Sequence, residues 1–196
     1  MGRERLTGKA ATQERILVAA RKLFLGKGYE STTVAEIADA AEVSRATVFW
    51  HFNDKASLFR ETFTRLLAPF RESLDRNLEE VDAEKRLHEL VAIYESFSTD
   101  HLAEIRGFVR WTVETPTFRS LLVTTLLDLH QRFIGSLSQA IAEIVAPSQD
   151  PRILATGLMS LLDGNLLLSL FDETPSVMET RRASVQAFVS LIPRRN

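Results

Sequence analysis

Hydrogen-bond donors of several kinds lie close together between residues 44 and 51. They are hydroxyl, guanidinium, indole and imidazole groups, carried by Ser44, Arg45, Thr47, Trp50 and His51. Such groups bind DNA phosphates and the edges of bases. A guanidinium pairs with guanine through two hydrogen bonds, so Arg45 is the first candidate for direct base readout, and a phosphate contact or a solvated side chain is the alternative.

A helix, a tight turn and a second helix must position these groups, over residues 33–52. Thr33 and Glu36 have the spacing of a capping box at the start of the first helix, and Ser44 can cap the second. The apolar side chains recur with helical spacing and face one another across the pair: Val34, Ile37, Ala38, Ala41, Val48 and Phe52. A recognition helix this short has the dimensions to enter a DNA major groove.

One amphipathic helix precedes this pair and another follows it. The pattern predicts the first from about Thr12 to Lys27 and the second from a cap at Asn53 to about Glu80, with Pro69 kinking or ending it. Lys55 lies in the first turn of that second helix, where a cation opposes the helix dipole. A phosphate bound at this helix terminus would account for it.

Four segments of residues 12–60 resemble the N-terminal domain of the tetracycline repressor (TetR) family. They read ILVAARKLF (16–24), GYESTTVAEIA (28–38), VSRATVFWHF (43–52) and DKASLF (54–59). The resemblance implies an all-helical dimer that binds a palindromic operator. It also implies a divergent C-terminal domain for ligand binding and dimerisation.

The resemblance also assigns roles to single residues of this chain. Thr33 matches a position that often contacts phosphate, and Thr47, His51 and Lys55 match positions that commonly contact the DNA backbone. We expect the ring of Trp50 to pack on the sugar–phosphate chain. The chain departs from the family in two places, with Phe49 where tyrosine is usual and Glu42 where the turn usually has glycine.

The N-terminal end carries the positive charge of the chain. Residues 1–60 hold ten Lys/Arg and seven Asp/Glu, a net charge of +3, whereas residues 61–196 hold fourteen and nineteen, a net charge of −5. That sign suits phosphate contact at the N-terminal end. Arg3, Arg5 and Lys9 lie in a basic arm over residues 1–11, which is either a disordered tail or an arm that follows the minor groove or the phosphates.

Only helices are predicted after residue 82: about 83–99, 101–114, 118–145, 151–171 and 175–192. Asp150 followed by Pro151 is a strong helix-start signal. The helix over 151–171 is apolar on more than one side, and such a helix is buried or spans a membrane. Arg152, Asp163 and Asn165 argue against the membrane. The last two helices of each chain are therefore expected to pair across a two-fold axis as a four-helix bundle, and the alternative is a monomer with a large core.

The resemblance places an effector pocket among the helices of the C-terminal half. The candidate residues are Tyr94, Phe97, Arg110, Trp111, Thr125, His130 and Phe133. Trp111 and His130 are the two to test first. The alternative is that the aromatic residues are ordinary core and that Arg110 is a surface or ion-paired residue. A predominantly apolar pocket favours an apolar or aromatic effector.

Composition and motifs argue against the other functional classes. The chain has no cysteine, which suits a reducing cytoplasm, and the N-terminus lacks the apolar stretch of a signal peptide. No apolar run approaches the roughly 20 residues that span a bilayer. His88 and Glu89 begin like a zinc-protease motif, but Ala92 stands where the second histidine is needed. We therefore expect no enzyme activity, no metal and no cofactor.

Together these observations predict an all-α protein of about nine helices in a cytoplasmic location. Its expected parts are a flexible arm (1–11), a DNA-binding domain (12–60, with the helix-turn-helix at 33–52) and a ligand-binding and dimerisation domain (61–196). The predicted function is a ligand-responsive repressor that binds a palindromic DNA operator as a homodimer and is released by a small, largely apolar effector. The alternatives are an activator on the same fold, a helical small-molecule-binding protein that does not read DNA, and a helical enzyme with a buried site.

Overall fold

The computed structural model describes residues 8–74 and 82–195. Over these residues the chain forms nine α-helices and no strand, which confirms the predicted all-α class. The helices are α1 (Gly8–Lys27), α2 (Val34–Ala40), α3 (Arg45–His51), α4 (Lys55–Leu74), α5 (Ala83–Asp100), α6 (Leu102–Glu114), α7 (Pro116–Ile144), α8 (Pro151–Ser169) and α9 (Pro175–Leu191).

The chain divides into two compact units. The N-terminal unit comprises Met1–Pro69 together with Gly107–Ser120, and the C-terminal unit comprises Phe70–Arg106 together with Leu121–Asn196. The expected boundary at residue 60 therefore differs from the division in the structure, because the N-terminal unit includes α4 as far as Pro69, the end of α6 and the start of α7.

Helix α1 begins four residues earlier than predicted. It starts at Gly8 rather than Thr12, and the Thr12 hydroxyl donates to the Gly8 carbonyl at 2.8 Å. Lys9 is therefore a helical residue. Arg3 and Arg5 lie outside the described residues.

The two helices of the helix-turn-helix begin at the predicted caps. Thr33 and Glu36 form the reciprocal capping box of α2, and the Ser44 hydroxyl accepts from the Thr47 amide at the start of α3. Between the helices, Glu42 has a φ of 54°, the only positive φ of a non-glycine residue in the described part of the chain. Glutamate thus occupies the left-handed conformation for which glycine is better suited.

Helix α4 differs from its prediction at the cap, and it does not end at Pro69. Asp54, not Asn53, caps it, because the Asp54 carboxylate accepts from the Ser57 amide at 2.6 Å. This hydrogen bond holds the pKa of Asp54 below its usual value. Pro69 lies within the helix, which continues to Leu74. The predicted continuation from residue 75 to Glu80 lies outside the described residues.

An aromatic core holds the N-terminal unit together. Phe24, Phe59 and Trp111 are fully buried, and the Phe59 ring lies 5.2 Å from that of Phe24 and 5.0 Å from that of Trp111, centroid to centroid. Tyr29 packs edge-on against Phe59 and Phe118. Residues from the end of α6 and the start of α7 thus complete the core of the helix-turn-helix.

The same part of α6 caps the end of α1. The Trp111 indole donates to the Phe24 carbonyl at 3.0 Å, and the Arg110 guanidinium donates to the carbonyls of Phe24 and Leu25. The last carbonyls of a helix have no partner within it, so these side chains satisfy them. Gly107 lies at this contact, and a Cβ there would meet the Leu25 side chain.

The C-terminal unit buries apolar residues from α5, α7, α8 and α9, among them Leu87, Leu122, Leu137, Ile141, Leu158 and Val185. Asp150 caps α8 and Pro151 is its first residue, as predicted. One side of α8 stays exposed in the single chain and carries Ile153, Leu167 and Leu168.

Candidate nucleic-acid interface

The outer face of α3 presents the predicted contact residues. Val48 and Phe52 are buried beneath it, whereas Arg45 is exposed and 66% of Trp50 is accessible. Arg45 forms no hydrogen bond or ion pair with any residue that the structure describes. Its five N–H groups are therefore available to a ligand.

The three hydroxyl groups of the predicted interface make intramolecular hydrogen bonds. Ser44 and Thr47 share one between their hydroxyls at 2.8 Å. The Thr33 hydroxyl donates to the Glu36 carboxylate at 2.8 Å and accepts from the Glu36 amide at 3.2 Å. Lys27 pairs with Glu36, and this ion pair, with the Thr33 hydrogen bonds, lowers the pKa of Glu36 to about 2. The capping hydroxyls are consequently held in fixed positions at the starts of α2 and α3.

Lys9, Trp50 and His51 lie together at this surface, with the Lys9 ammonium over the Trp50 ring and the His51 ring edge-on to it. The Lys9 ammonium lies 4.5 Å from the centroid of the Trp50 ring, within cation–π range, and the His51 ring lies 4.8 Å from that of Trp50. Burial, and then the charge of Lys9, lower the pKa of His51. The first turn of α1 therefore contributes Lys9 to the surface of the recognition helix. The sequence did not predict this contact, because Lys9 was assigned to a separate N-terminal arm.

Lys55 occupies a different environment from the exposed α3 residues. Its ammonium donates to the carbonyls of Tyr29 at 3.0 Å and Thr32 at 3.1 Å, and lies 4.1 Å from the centroid of the Tyr29 ring. Two of its three N–H groups are thus engaged within the protein.

The candidate effector residues fall into different units. Tyr94, Phe97, Thr125, His130 and Phe133 belong to the C-terminal unit, whereas Arg110 and Trp111 belong to the N-terminal unit. Because Arg110 and Trp111 cap α1, the structure gives them another role. Their contribution to an effector pocket stays a prediction.

Four of the candidates in the C-terminal unit lie near one another: two contact the Asp163 carboxylate, and two are linked to them through ring contacts. The Tyr94 hydroxyl donates to Asp163 at 2.7 Å, and the His130 imidazole lies 3.5 Å from the other Asp163 oxygen. Burial and the nearby Asp163 charge raise the pKa of Tyr94. Phe133 packs against Tyr94, and Phe97 joins the group through Phe70. Thr125 instead donates to the Leu121 carbonyl.

Asp163 is a residue that sequence reasoning did not assign to this site. The available signal in the sequence was a single carboxylate on a largely apolar helix. A partly open cleft between α5, α8 and α9 lies in the same unit, and its empty space of about 430 Å³ includes open solvent. Of the predicted residues, only Tyr94 lines it.

Two other site types find no support among the described residues. No group of three or more His, Cys, Asp or Glu side chains there is placed to hold a metal ion. Within the same ranges, no helix is long and apolar enough to cross a membrane.

The second helix of this helix-turn-helix exposes Arg45, and Lys9, Trp50 and His51 lie on the same surface. Such a surface is typical of a DNA-binding protein. Residues 16–62 match the family described as bacterial regulatory proteins, tetR family. The chain is 27% identical over 158 residues to the transcriptional repressor BepR of Brucella suis, a match that covers 79% of this chain and 67% of that relative. It is 28% identical over 179 residues to the transcriptional regulator AcrR of Shigella flexneri, covering 89% of this chain and 72% of AcrR.

Solved structures have the same fold. NalD, the secondary repressor of the MexAB-OprM multidrug efflux pump of Pseudomonas aeruginosa, superposes with a TM-score of 0.66 at 26% identity, covering 94% of this chain and 97% of NalD. A regulator from Saccharomonospora viridis in complex with choline superposes with a TM-score of 0.71 at 23% identity, covering 94% of this chain and 98% of that one. Residues 16–62 thus form a DNA-binding domain of the tetR family, and the chain as a whole has the fold of these solved regulators.

Proposed function

We propose that the chain is a homodimeric repressor that binds a palindromic operator and releases it when a small effector binds. The exposed, unpaired Arg45 on a capped recognition helix is the observation that carries this proposal. A small-molecule-binding protein that does not read DNA has no use for such a surface. An activator on the same fold shares the DNA surface and differs only in the position of its operator.

We assign the DNA contacts by the chemistry of each exposed group. Arg45 reads a base edge, and guanine is its best partner because two parallel hydrogen bonds form. Thr33, Ser44, Thr47 and His51 contact phosphates. The Trp50 ring packs on the sugar–phosphate chain, and the Lys9 ammonium beside it contacts a phosphate. Lys55 belongs to the same functional surface.

A dimer follows from the palindrome and from the exposed faces of the last two helices. Two recognition helices must lie about 34–36 Å apart to enter successive major grooves. Helix α8 exposes a face with Ile153 (69% accessible), Leu167 (55%) and Leu168 (52%), and α9 exposes Leu191 (79%). We propose that these faces pair with their equivalents in a second chain as a four-helix bundle.

The effector is proposed to bind in the C-terminal unit, near the aromatic rings of Tyr94, Phe97 and Phe133. A largely apolar molecule suits this environment, and the Asp163 carboxylate offers a partner for a basic group on it. The effector releases DNA only through a higher affinity for the dimer whose recognition helices do not match the half-site spacing. The relevant location is the bacterial cytoplasm, where the DNA is.

Fluorescence anisotropy with the DNA that flanks the gene for this chain, against random competitor DNA, tests the proposal. We expect salt-sensitive, specific binding by a dimer, and loss of the specific complex when an effector is found in a compound screen. Equal affinity for flanking and random DNA at every salt concentration would count against the repressor and favour the small-molecule-binding alternative.

A further inference from the structure

The first residue of α4 is hydrogen-bonded to the turn between α1 and α2. The Lys55 ammonium donates to the carbonyls of Tyr29 and Thr32, which lie 26 and 23 residues earlier in the chain, and it lies against the face of the Tyr29 ring. Both hydrogen bonds are partly buried. A cation at the N-terminus of a helix is unfavourable, and the two carbonyls and the ring compensate for that position.

The carbonyls that Lys55 binds belong to the turn between α1 and α2. Gly28, with a φ of 86°, ends α1, and its amide donates to the Phe24 carbonyl at 3.0 Å. The Thr32 amide donates to the Tyr29 carbonyl at 3.2 Å, and the buried Thr32 hydroxyl donates to the Gly28 carbonyl at 2.7 Å. Lys55 therefore fixes the final residue of a tightly hydrogen-bonded turn.

The next residue in the chain is Thr33, the cap of α2. Its hydroxyl is the group that we assign to a DNA phosphate. Because the Thr32 carbonyl is bonded to Lys55, the position of Thr33 depends on the ammonium of Lys55.

We propose that Lys55 is a positioning residue for DNA binding, which acts by holding the α1–α2 turn and the Thr33 cap in place, and not by contacting a phosphate itself. This inference rests on the proposed DNA-binding function. It gives Lys55 a role different from the backbone contact that the family resemblance implies.

The salt dependence of operator binding separates the two roles. Each phosphate-contacting cation contributes about 0.9 to the slope of log K against log salt, so losing one per protomer lowers the slope of a dimer by about 1.8. For Lys55→Met we expect affinity to fall by about tenfold, as for loss of a charged hydrogen bond, with an unchanged slope. Lys9→Met is the comparison that we expect to lower the slope, and Lys22→Met, at an exposed position on α1, is the control for both.

Two further variants sharpen the test. Lys55→Arg keeps the charge but not the compact ammonium, so we expect the same loss of affinity, whereas a phosphate contact would be preserved. Thr33→Ala should weaken binding in the wild-type background and have no further effect in Lys55→Met. All affinities are measured at a temperature where circular dichroism shows each variant folded.

Hydrogen exchange of the DNA-free protein completes the experiment. We expect faster exchange of the Thr32 and Glu36 amides in Lys55→Met than in Lys22→Met. The inference would be overturned if Lys55→Met lowered the salt slope, or if folded Lys55→Met kept its affinity. It would also be overturned if Lys55→Arg bound with full affinity, or if the effects of Thr33→Ala and Lys55→Met were independent. If the wild-type protein bound no DNA specifically, the proposed function would fail. Unchanged exchange at these two amides in Lys55→Met would separately overturn the proposed positioning of the α1–α2 turn by Lys55.

Discussion

The indole of Trp111 donates to the carbonyl of Phe24 across 87 residues of sequence, at 3.0 Å, and both side chains are fully buried. Phe24 lies in the last two turns of α1, and Trp111 lies near the end of α6. This contact makes the end of α6 a structural part of the DNA-binding unit.

Replacement of Trp111 by phenylalanine is expected to destabilise the protein by about 1–2 kcal/mol. The variant loses one buried hydrogen bond and part of a large buried ring, while the Phe24 carbonyl keeps the Gly28 amide as a partner. Urea unfolding measures the change. Trp50→Phe is the matched control, because Trp50 is exposed and its substitution should change stability little. Equal stability of the two variants would contradict the structural role of Trp111.

Glu42→Gly is expected to stabilise the protein by about 1 kcal/mol. Glutamate at a φ of 54° is strained, and glycine adopts this conformation without a steric penalty. Thermal or urea unfolding gives the sign. Glu42→Gln removes the charge but not the strain, so a gain of the same size in Glu42→Gln would assign the effect to electrostatics instead.

Arg45→Ala is expected to weaken operator binding by roughly 5- to 150-fold and to leave binding to random DNA nearly unchanged. The reason is that Arg45 is unpaired in the free protein and is assigned to a base edge. Anisotropy titrations with both DNAs measure this, and Arg21→Ala, at an exposed position on α1, serves as the control. Equal losses on operator and random DNA would move Arg45 to a phosphate contact.

Operator affinity is expected to rise as the pH falls through the pKa that His51 has in the complex. Burial and Lys9 lower the pKa of His51 in the free protein, and a phosphate contact raises it again, so binding takes up a proton. Once the pH is below the free-protein value, the affinity levels off. His51→Asn should remove this dependence, and His88→Asn, in α5, should keep it. A pH profile that His51→Asn leaves intact would rule out the phosphate contact.

Leu167→Glu is expected to convert the dimer to a monomer and to abolish high-affinity operator binding. The substitution places a charge on the exposed apolar face of α8 that we assign to the interface. Light scattering after gel filtration reports the mass. Leu127→Glu is the comparison, since Leu127 is a similarly exposed leucine (58%) on α7. A dimer of undiminished stability in Leu167→Glu would place the interface elsewhere.

The parts of the fold that local chemistry determines were predicted from sequence. The caps at Thr33 and Ser44 depend on residues three positions away, so both helix starts of the helix-turn-helix were placed correctly. The left-handed conformation of Glu42, where the family usually has glycine, is likewise a local property of the turn.

The parts that depend on long-range contacts were not predictable in this way. Nothing in the spacing of Arg110 and Trp111 shows that their partners are the carbonyls of α1, some 85 residues earlier. The partners of Lys55 and the gathering of Tyr94 and His130 around Asp163 likewise require the tertiary structure. Lys9 was assigned to the N-terminal arm, because residues 8–11, by which α1 begins earlier than predicted, carry no cap signal.

Selection of bound duplexes from a library of random DNA tests the central claim most directly. The wild-type protein and Arg45→Ala are each incubated with the library, and the bound DNA is sequenced. The account predicts that the wild-type protein enriches an inverted repeat whose half-sites are about one helical turn apart, and that Arg45→Ala loses the preference at one position of each half-site. A wild-type selection with no enriched sequence at any salt concentration would contradict the assignment of this protein as an operator-binding repressor.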